Sequence, residues 1–540
     1  MPNKLKSTIA DICTGYGSAY FTDELNYNAQ TISDAFRSIL ETELKEVANR
    51  LDNFIKFVSL TKPAVPLDIQ LVQMVVFTLI CLTSIVSSAI LIQHITLYWL
   101  KKGRRMECPK NYCGELDRPP IVSICIPIRN EEISMIKRIL STIGAQRYPK
   151  SSMEVIVISD DSPEKAEEIR KTCQKASKKF GLNIQVIERK IQHGHKAGAL
   201  NDALLISKGE YVAVFDVDSI LDPLFIFKTV NFLSSHDEYD VAVGRWTPIN
   251  RNSPVACAQG EGMEFLTEVL YKRKFALGFP IVILGSGSVF RRSFLKEMGG
   301  WNEEILAEDV ELWVRAVLKG KKTAYIDDLR VGVEVPETYA IFKRQHSRWM
   351  YGTTQVLKKY FVKILRADIP WLLKLDIFSY LLHYYVFLTN ILLMGLSLIS
   401  IVFGLDLLIV NEYPSLWILA LTGLYSFTYF DFLRNNGRTL KDCLVISARS
   451  AVIASALLPT TAIKIVKSLI GLNETWHVTP KGSRIRMSSR TVILEWIVGW
   501  SGVSLGIYAL EKSLFATSSF LIAMSIPGIY VGIRTARGLW

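Results

Sequence analysis

Two aspartates one residue apart end an apolar run in the stretch YVAVFDVDS, residues 211–219. The carboxylates of Asp216 and Asp218 could together bind a divalent cation, because Mg²⁺ and Mn²⁺ prefer oxygen ligands. An Asp-x-Asp pair also occurs in ordinary turns and at helix starts, where its oxygens accept bonds from backbone N–H groups. The pair alone therefore leaves both a metal site and a turn open.

Charged residues also follow other apolar runs in the middle of the chain, in RNEE (129–132), DDS (160–162) and KAGALND (196–202). Between Pro119 and Leu365, short β-branched runs alternate with helical stretches, which predicts an α/β sheet with helices on its faces. The runs predicted as strands are IVSICIPI, MEVIVIS, IQVIER, YVAVFDVD and YDVAVGRW. Ligands of such sheets bind beyond the carboxyl ends of the strands. Four polar strand ends favour a phosphate-bearing ligand with a divalent metal over a set of solvated turns.

Composition narrows the classes of function. The chain has 540 residues, of which 49% are hydrophobic, and a mean hydropathy of +0.23, which favours a membrane protein with a substantial soluble part. The net charge of +12 predicts anionic partners. No basic tract with interleaved aromatics is present, so we expect no nucleic-acid partner. The absence of GxxxxGK[ST] excludes a Walker-type ATPase, and the eight scattered cysteines are predicted to be reduced and structural.

The apolar segments predict five transmembrane helices. Residues 71–100 are long enough to cross a bilayer, and the KKGRR that follows marks the cytoplasmic side. Four more apolar segments lie at about 377–404, 415–433, 491–510 and 513–533. Lys and Arg alternate between their connecting loops, which predicts that residues 1–70 lie outside and that the middle domain and the C-terminus are cytoplasmic.

Two further segments are predicted to be amphipathic. Cys443–Ile470 is apolar but carries Arg449, Lys464 and Lys467. A span there would place the next basic loop on the wrong side, so we interpret it as a helix lying in the membrane interface. The stretch from Ile32 to Val58 has helical apolar spacing and is predicted to pack on another element.

Several motifs resemble family 2 glycosyltransferases. SICIPIRNEE, VISDDS, HGHKAGALNDAL and FDVDS resemble, in order and spacing, the nucleotide-sugar-binding half of that family, and residues 284–315 resemble its acceptor half. QHSRWMYG (345–352) resembles the QxxRW signature of membrane-embedded processive members such as cellulose, hyaluronan and chitin synthases. TWHVTPKG (475–482) resembles the gating loop of cellulose-synthase-like enzymes. The resemblance covers about residues 118–490.

The resemblance implies a fold and a domain organisation. It implies an α/β GT-A-type glycosyltransferase domain inserted between the transmembrane helices of a multi-pass α-helical membrane protein. The predicted parts are an extracytoplasmic helical segment (1–70), a first transmembrane helix (71–100), a cytoplasmic catalytic domain (118–365), an interface helix with transmembrane helices 2 and 3 (366–442), an interface helix with the gating loop (443–490), and transmembrane helices 4 and 5 (491–540).

The resemblance also implies a donor site. A nucleotide sugar, expected to be a UDP-sugar, would contact Glu131, Asp160, Asp161 and Lys196. Asp218 would bind Mg²⁺ or Mn²⁺ on the donor diphosphate together with Asp216, which would also hold the donor sugar or ribose. The alternatives are solvated turns for the aspartates and a surface position for the lysine.

Glu308 and Asp309 match the family's Glu-Asp motif, in which the aspartate is the general base. The chemistry requires a base, since the acceptor hydroxyl loses a proton as it attacks the anomeric carbon. The leaving diphosphate requires no acid, because a metal absorbs its charge. Direct attack on an α-linked donor would invert the configuration. Without the resemblance, the same pair could simply complement a helix dipole.

Three further groups of residues concern the acceptor, the gating loop and the second predicted span. Gly285, Ser286, Gln345 and Trp349 are expected to contact the acceptor, with Arg348 facing the donor diphosphate; an Arg-Trp pair could instead anchor a membrane boundary. Val478, Thr479 and Lys481 of the gating loop are expected to close over the donor. His383, Tyr384 and Asn390, in the predicted second span, could line a sugar channel or form helix–helix hydrogen bonds.

The predicted function is that of a hexosyltransferase in the plasma membrane. It would polymerise a β-linked polysaccharide from a nucleotide sugar, extend a growing glycan acceptor and translocate it across the lipid bilayer. One alternative is a single transfer to a lipid acceptor, as in glucosylceramide-synthase-like members. Another is a non-catalytic membrane scaffold or transporter. Leu284 and the DDS sequence depart from the bacterial cellulose synthase pattern, which leaves the sugar and the channel path open.

Overall fold

The computed structural model describes residues 69–100, 118–406, 408, 412–472, 474 and 489–539. The amphipathic helix predicted at Ile32–Val58 and the gating-loop residues Val478, Thr479 and Lys481 lie outside the described residues. All the elements described below belong to the compact unit Asp68–Trp540.

A mixed eight-stranded sheet is the centre of the α/β domain. Its strands are β1 (Val122–Ile128), β2 (Met153–Ser159), β3 (Asn183–Glu188), β4 (Tyr211–Val214), β5 (Ile220–Leu221), β6 (Val241–Pro248), β7 (Ser288–Arg291) and β8 (Thr323–Val333). Their spatial order is β3-β2-β1-β4-β7-β6-β8-β5. The first four in this order are parallel, and β7 runs antiparallel between β4 and β6.

The helices surround the sheet and then continue into a helical region. They are α1 (Ile69–Trp99), α2 (Ile133–Gly144), α3 (Pro163–Phe180), α4 (His195–Ile206), α5 (Phe225–Ser235), α6 (Pro254–Leu266), α7 (Arg292–Met298), α8 (Glu308–Leu318), α9 (Tyr339–Arg366), α10 (Trp371–Leu382), α11 (Tyr385–Phe403), α12 (Glu412–Asn435), α13 (Leu440–Ser455), α14 (Leu458–Leu469), α15 (Ile493–Glu511) and α16 (Phe515–Ala536). A π-helical turn, Thr267–Arg273, extends α6.

The central strands are apolar because both of their faces are covered. Successive residues of β1 alternate between two clusters: Ile124 packs with α2, α3 and α5, and Cys125 packs with α4 and α8. Parallel strands buried on both faces read as continuous hydrophobic runs. This explains why their sequences predicted the α/β architecture, which the structure confirms.

Three strands were missed by the sequence analysis. β5 has two residues and β7 has four, which is too short for a periodic pattern. β8 carries Asp327 and Asp328 in its middle, where it pairs with β6 across an irregularity at Gly244/Arg245. The reversal at β7 makes the sheet mixed.

Among the residues that the structure describes, five helices are long and apolar enough to cross a membrane. They are Leu71–Trp99, Tyr385–Phe403, Leu416–Asn435, Ile493–Glu511 and Phe515–Ala536. The span predicted at 377–404 is wrong at its start, because the chain turns between α10 and α11. His383 and Tyr384 therefore precede the candidate span instead of lying within it. The apolar run is continuous through this turn, so hydropathy alone could not show the break.

The segment Cys443–Ile470 folds as two helices, α13 and α14, bent by 42°. Pro459 lies in the first turn of α14, where its missing N–H leaves no helical bond unmade. The pair could be a broken span or a re-entrant segment by length and composition. Its location in the membrane interface stays a prediction.

Helix α9 is tied to the helical region at two points. Near its start, Lys343 Nζ donates to Glu495 Oε2 (2.8 Å) and to the carbonyl of Thr491 (2.9 Å). Eight residues later, Tyr351 Oη donates to the carbonyl of Leu472 (2.9 Å). Gln345, Arg348 and Trp349 lie between these ties, so their helix is fixed to α15 and to the end of α14.

A buried ion pair joins the α/β domain to α10 and to the first candidate span. Lys274 Nζ lies 2.7 Å from Asp376 Oδ2 of α10, and each side chain exposes 3% of its surface. Gln93 of α1 donates to the other oxygen of Asp376 (2.7 Å), and Lys274 lies over the ring of Trp313. Breaking such a pair leaves one buried charge uncompensated.

We predict that Asp376→Ala lowers the free energy of unfolding by about 3 kcal/mol or more. The measurement is the midpoint of thermal unfolding of the full chain in detergent. Glu167→Ala, which removes an exposed partner of Arg170, should leave the midpoint unchanged. The double variant Lys274→Met/Asp376→Leu should regain most of the loss. An Asp376→Ala variant as stable as the parent would show that the pair does not hold the elements together.

Candidate active site

The predicted site residues meet at one edge of the sheet. Glu131 lies in the loop after β1, Asp160 and Asp161 follow β2, and Asp216 and Asp218 follow β4. Lys196 lies in the first turn of α4, and Glu308 and Asp309 open α8. The carboxyl ends of parallel strands explain this convergence, since they share one edge.

Lys196 is the centre of the site. Its Nζ lies 2.8 Å from Asp216 Oδ1 and 3.5 Å from Glu308 Oε1, and it donates to the carbonyl of Gly285 (2.7 Å). A Cβ added at Gly285 would lie 2.9 Å from Asp309 Oδ2 and 3.1 Å from Lys196 Nζ. Because Gly285 has no side chain, the carboxylate of Asp309, the predicted base, can lie close to Lys196.

Burial and charge shift the acid–base groups of this cluster. Burial raises the pKa of Glu308 to about 7, although Lys196 and Arg348 oppose the shift. Burial also raises the pKa of Asp309, again against Lys196 and Arg348. Burial disfavours the charge of Lys196, but Asp216 and Glu308 outweigh it and raise its pKa above the usual range. The positive charge of Arg348, on α9, therefore acts on both Glu308 and Asp309.

The loop that carries Asp216 and Asp218 is held from behind by hydroxyl groups. The backbone N–H of Asp216 donates to Ser286 Oγ (3.0 Å), which also bonds to Ser219 Oγ (2.7 Å). Trp246 Nε1 donates to the carbonyl of Ser286 (2.8 Å). Ser286 is 1% exposed, so its hydroxyl supports the loop, and the acceptor contact expected of it stays a prediction.

The two aspartates suit a hard divalent ion that arrives with a phosphate ligand. Mg²⁺ is commonly bound by one or two carboxylates plus substrate phosphates and waters. Within the ranges that the structure describes, no group of three or more His, Cys, Asp or Glu side chains could hold an ion alone. Asp216 and Asp218 therefore fit the metal only as part of a shared site with the donor.

Asp160 is held by a residue that the sequence analysis missed. Arg189 Nη1 lies 3.0 and 3.1 Å from the two oxygens of Asp160, and its Nε donates to Asp202 Oδ2 (2.8 Å). The same side chain bonds to the carbonyls of His193 and His195, just before Lys196. Arg189 directly follows β3, so the strand-end rule that found the other residues could have found it.

Asp161 faces the loop after β1. Its Oδ1 accepts from the backbone N–H of Asn130 (2.6 Å), and its Oδ2 accepts from Ser159 Oγ (3.0 Å). Asn130 has a φ of 58°, in the left-handed region that asparagine tolerates. This bond ties the two loops that carry Glu131 and Asp161.

Aromatic residues surround the base and the start of the helical region. The ring of Trp349 is half-buried, with its centroid 4.8 Å from that of His346. His346 Nδ1 lies 2.9 Å from Tyr384 Oη. Burial raises the pKa values of Tyr271 and Tyr380, and the charge of Asp309 adds to both shifts, which places both phenols near the base.

Comparisons with known proteins find a family match over part of the chain. Residues 211–431 match the model described as "Glycosyl transferase family group 2". A "Probable glycosyltransferase" of Sulfolobus acidocaldarius is 26% identical over 75% of this chain and 85% of its own length. "Glucomannan 4-beta-mannosyltransferase 7" of Arabidopsis thaliana is 31% identical over 47% of this chain and 46% of its own length. The chain is a glycosyltransferase, and residues 211–431 are the part that matches family group 2.

The GT-A-type fold and the glycosyltransferase activity predicted from the sequence are thereby confirmed. The glycosyltransferase spans about half the length of the plant relatives that it matches. A mannosyltransferase of Pyrobaculum calidifontis, solved in complex with GDP-Man and Mn²⁺, superposes with a TM-score of 0.45 at 18% identity, covering 73% of this chain and 100% of its own.

We predict that Arg189→Ala raises the donor KM by at least about tenfold and changes kcat less. The reason is that removing one partner of a buried, hydrogen-bonded charge pair costs about 2 kcal/mol or more. Steady-state kinetics and calorimetric titration with the nucleotide provide the measurement. Arg189→Lys should recover part of the affinity, and Arg170→Ala, which removes an exposed arginine, should match the parent. An unchanged KM in Arg189→Ala would remove Arg189 from the donor site.

Proposed function

We propose that the glycosyltransferase transfers hexosyl units, with inversion, from a nucleotide sugar to a growing β-linked glycan and passes the product through its membrane helices. The observation that carries this proposal is the position of Asp309. It opens α8 beside Gly285 and Lys196, within the same cluster as the Asp216 carboxylate that is expected to hold the donor.

Asp309 acts as the general base in this proposal. An acceptor hydroxyl near Gly285 would lie close to the Asp309 carboxylate, which takes its proton as the oxygen attacks the anomeric carbon. Lys196 and Arg348 offer positive charge to the diphosphate that departs. A divalent metal bound by Asp216 and Asp218 would supply further charge stabilisation for that leaving group.

Mannose is one sugar that the comparisons support for this donor site. Plant relatives at about 30% identity carry the name glucomannan 4-beta-mannosyltransferase. Each of these matches covers less than half of this chain. The family model covers residues 211–431, which include Asp216 and Asp309. We therefore include a GDP-activated mannose with the UDP-sugars first expected.

Polymer synthesis requires a surface that holds the glycan between transfers. Trp349 and the tyrosines near Asp309 offer apolar faces of the kind that stack on sugar rings. Helix α9 leads through α10 directly into a candidate span, so a chain extended at Asp309 would begin its path beside the helical region. We propose that this region lies in the plasma membrane with the catalytic domain on its cytoplasmic side.

We predict that Asp309→Asn leaves donor binding near normal and lowers the transfer rate by about 10² or more, as expected for loss of a general base. Single-turnover rates and nucleotide titrations would separate the two effects. Glu304→Gln is a matched control, because Glu304 is an exposed acid in the loop before α8. If donor affinity collapses while the bound enzyme still reacts at the parental rate, Asp309 is not the base.

We predict that purified enzyme in lipid nanodiscs, given one suitable nucleotide sugar, makes chains many units long without an added lipid acceptor. The panel would contain UDP-glucose, UDP-N-acetylglucosamine, GDP-mannose and GDP-glucose, and the radiolabelled products would be sized. Trp349→Ala should shorten the chains, since it removes the proposed platform. Product that partitions wholly into organic solvent as a one-sugar lipid would overturn the polymerase and favour a single transfer.

A further inference from the structure

Lys196 lies where a cation is expected when the donor is bound. Its ammonium group contacts an oxygen of Asp216, one of the two proposed metal-binding aspartates, at 2.8 Å. The lysine side chain is 17% exposed, whereas that of Asp216 is 38% exposed, so the lysine lies on the protein side of the shared carboxylate. Two of its three N–H groups are engaged, by Asp216 and by the carbonyl of Gly285.

We propose that Lys196 is a resident counter-ion that keeps the divalent metal off Asp216 until the donor diphosphate binds. The charges of Asp216, Glu308 and Asp309 act on the lysine, and Arg348 adds a second positive charge beside Glu308. In the free enzyme the ammonium group neutralises part of this charge and repels a second cation at contact distance. The empty site therefore has low affinity for the free ion.

The donor removes this obstacle because it brings its own negative charge. Phosphate oxygens at the sheet edge attract the ammonium group, which turns away from Asp216 on a flexible four-carbon stem. The carboxylate is then free to bind the ion that neutralises the diphosphate. Lys196 can move in this way while its backbone stays fixed, since Arg189 holds the carbonyls of His193 and His195 just before it.

This role of Lys196 rests on the proposed function, because it assumes a metal-dependent transfer at Asp216 and Asp218. It adds an order of binding that metal dependence alone does not require. Metal and nucleotide should each raise the affinity for the other, by the same factor, as linkage demands. Lys196 is the source of a large part of that coupling.

The test is Mn²⁺ binding to the full chain in detergent, followed by the electron paramagnetic resonance signal of the free ion, with no turnover. Titrations are made without nucleotide and with UDP or GDP. The parent should bind Mn²⁺ weakly alone and at least tenfold more tightly with the productive nucleotide. Lys196→Met should bind Mn²⁺ at least tenfold more tightly than the parent without nucleotide, and its coupling to nucleotide should shrink.

Three variants control for loss of structure and for other sites. Lys196→Arg keeps a positive charge and should retain the weak parental affinity, which separates charge from shape. Asp218→Asn in the Lys196→Met background should abolish the gain, which locates the ion at the aspartates. Lys208→Met removes an exposed lysine before β4, at the opposite edge of the sheet, and should behave as the parent.

Three results would overturn the proposal, and they differ from one another. If the parent binds Mn²⁺ more tightly with nucleotide but folded Lys196→Met gains no affinity without it, Lys196 does not exclude the ion, and the metal-dependent function stands. If no nucleotide induces Mn²⁺ binding in the parent, the metal-dependent function fails and this role of Lys196 fails with it. A loss of folding in Lys196→Met would appear in its thermal midpoint. In that case the Lys196→Arg variant decides. If Lys196→Arg binds Mn²⁺ tightly without nucleotide, the charge argument is wrong.

Discussion

Negative charge held away from water is the constraint on which this site depends. Asp160, Asp218 and Glu308 expose 9%, 2% and 8% of their surfaces. Carboxylates buried to this extent lose their charge unless cations or hydrogen bonds compensate them. Arg189, at the end of β3, bonds to Asp160, and Lys196, at the start of α4, bonds to Asp216 and lies 3.5 Å from Glu308. The positions of β2, β3 and β4 at one sheet edge are therefore tied to the charge balance of the site.

The sequence was most informative where burial is complete. β1, β2 and β4 were predicted because strands covered on both faces must be apolar, and the motifs that follow them were expected at one edge for the same reason. β8 was not predicted, since Asp327 and Asp328 interrupt its apolar pattern. Asp327 pairs with Arg245 of β6 and with Lys272 of the π-helical turn. The antiparallel pairs of the sheet are made by these short or charged strands, so hydropathy did not predict them.

The acceptor side shows the other limit of sequence reasoning. Tyr271 and Tyr380 lie near Asp309 but come from helices more than 100 residues apart, and neither belongs to a motif. Only the packing of α8, α10 and the π-helical turn after α6 brings them together. The turn at His383 was missed for a related reason, since an apolar run has the same composition whether it is one helix or two.

Gly285 has a consequence for how this enzyme can change over evolutionary time. Any other residue there would place a Cβ within about 3 Å of both the Asp309 carboxylate and the Lys196 ammonium group. Every missense change of its codon therefore presses on the ends of two charged side chains at once, and both must shift to make room for it. A substitution at position 285 would thus change the distance between the proposed base and the lysine even where the fold itself is kept.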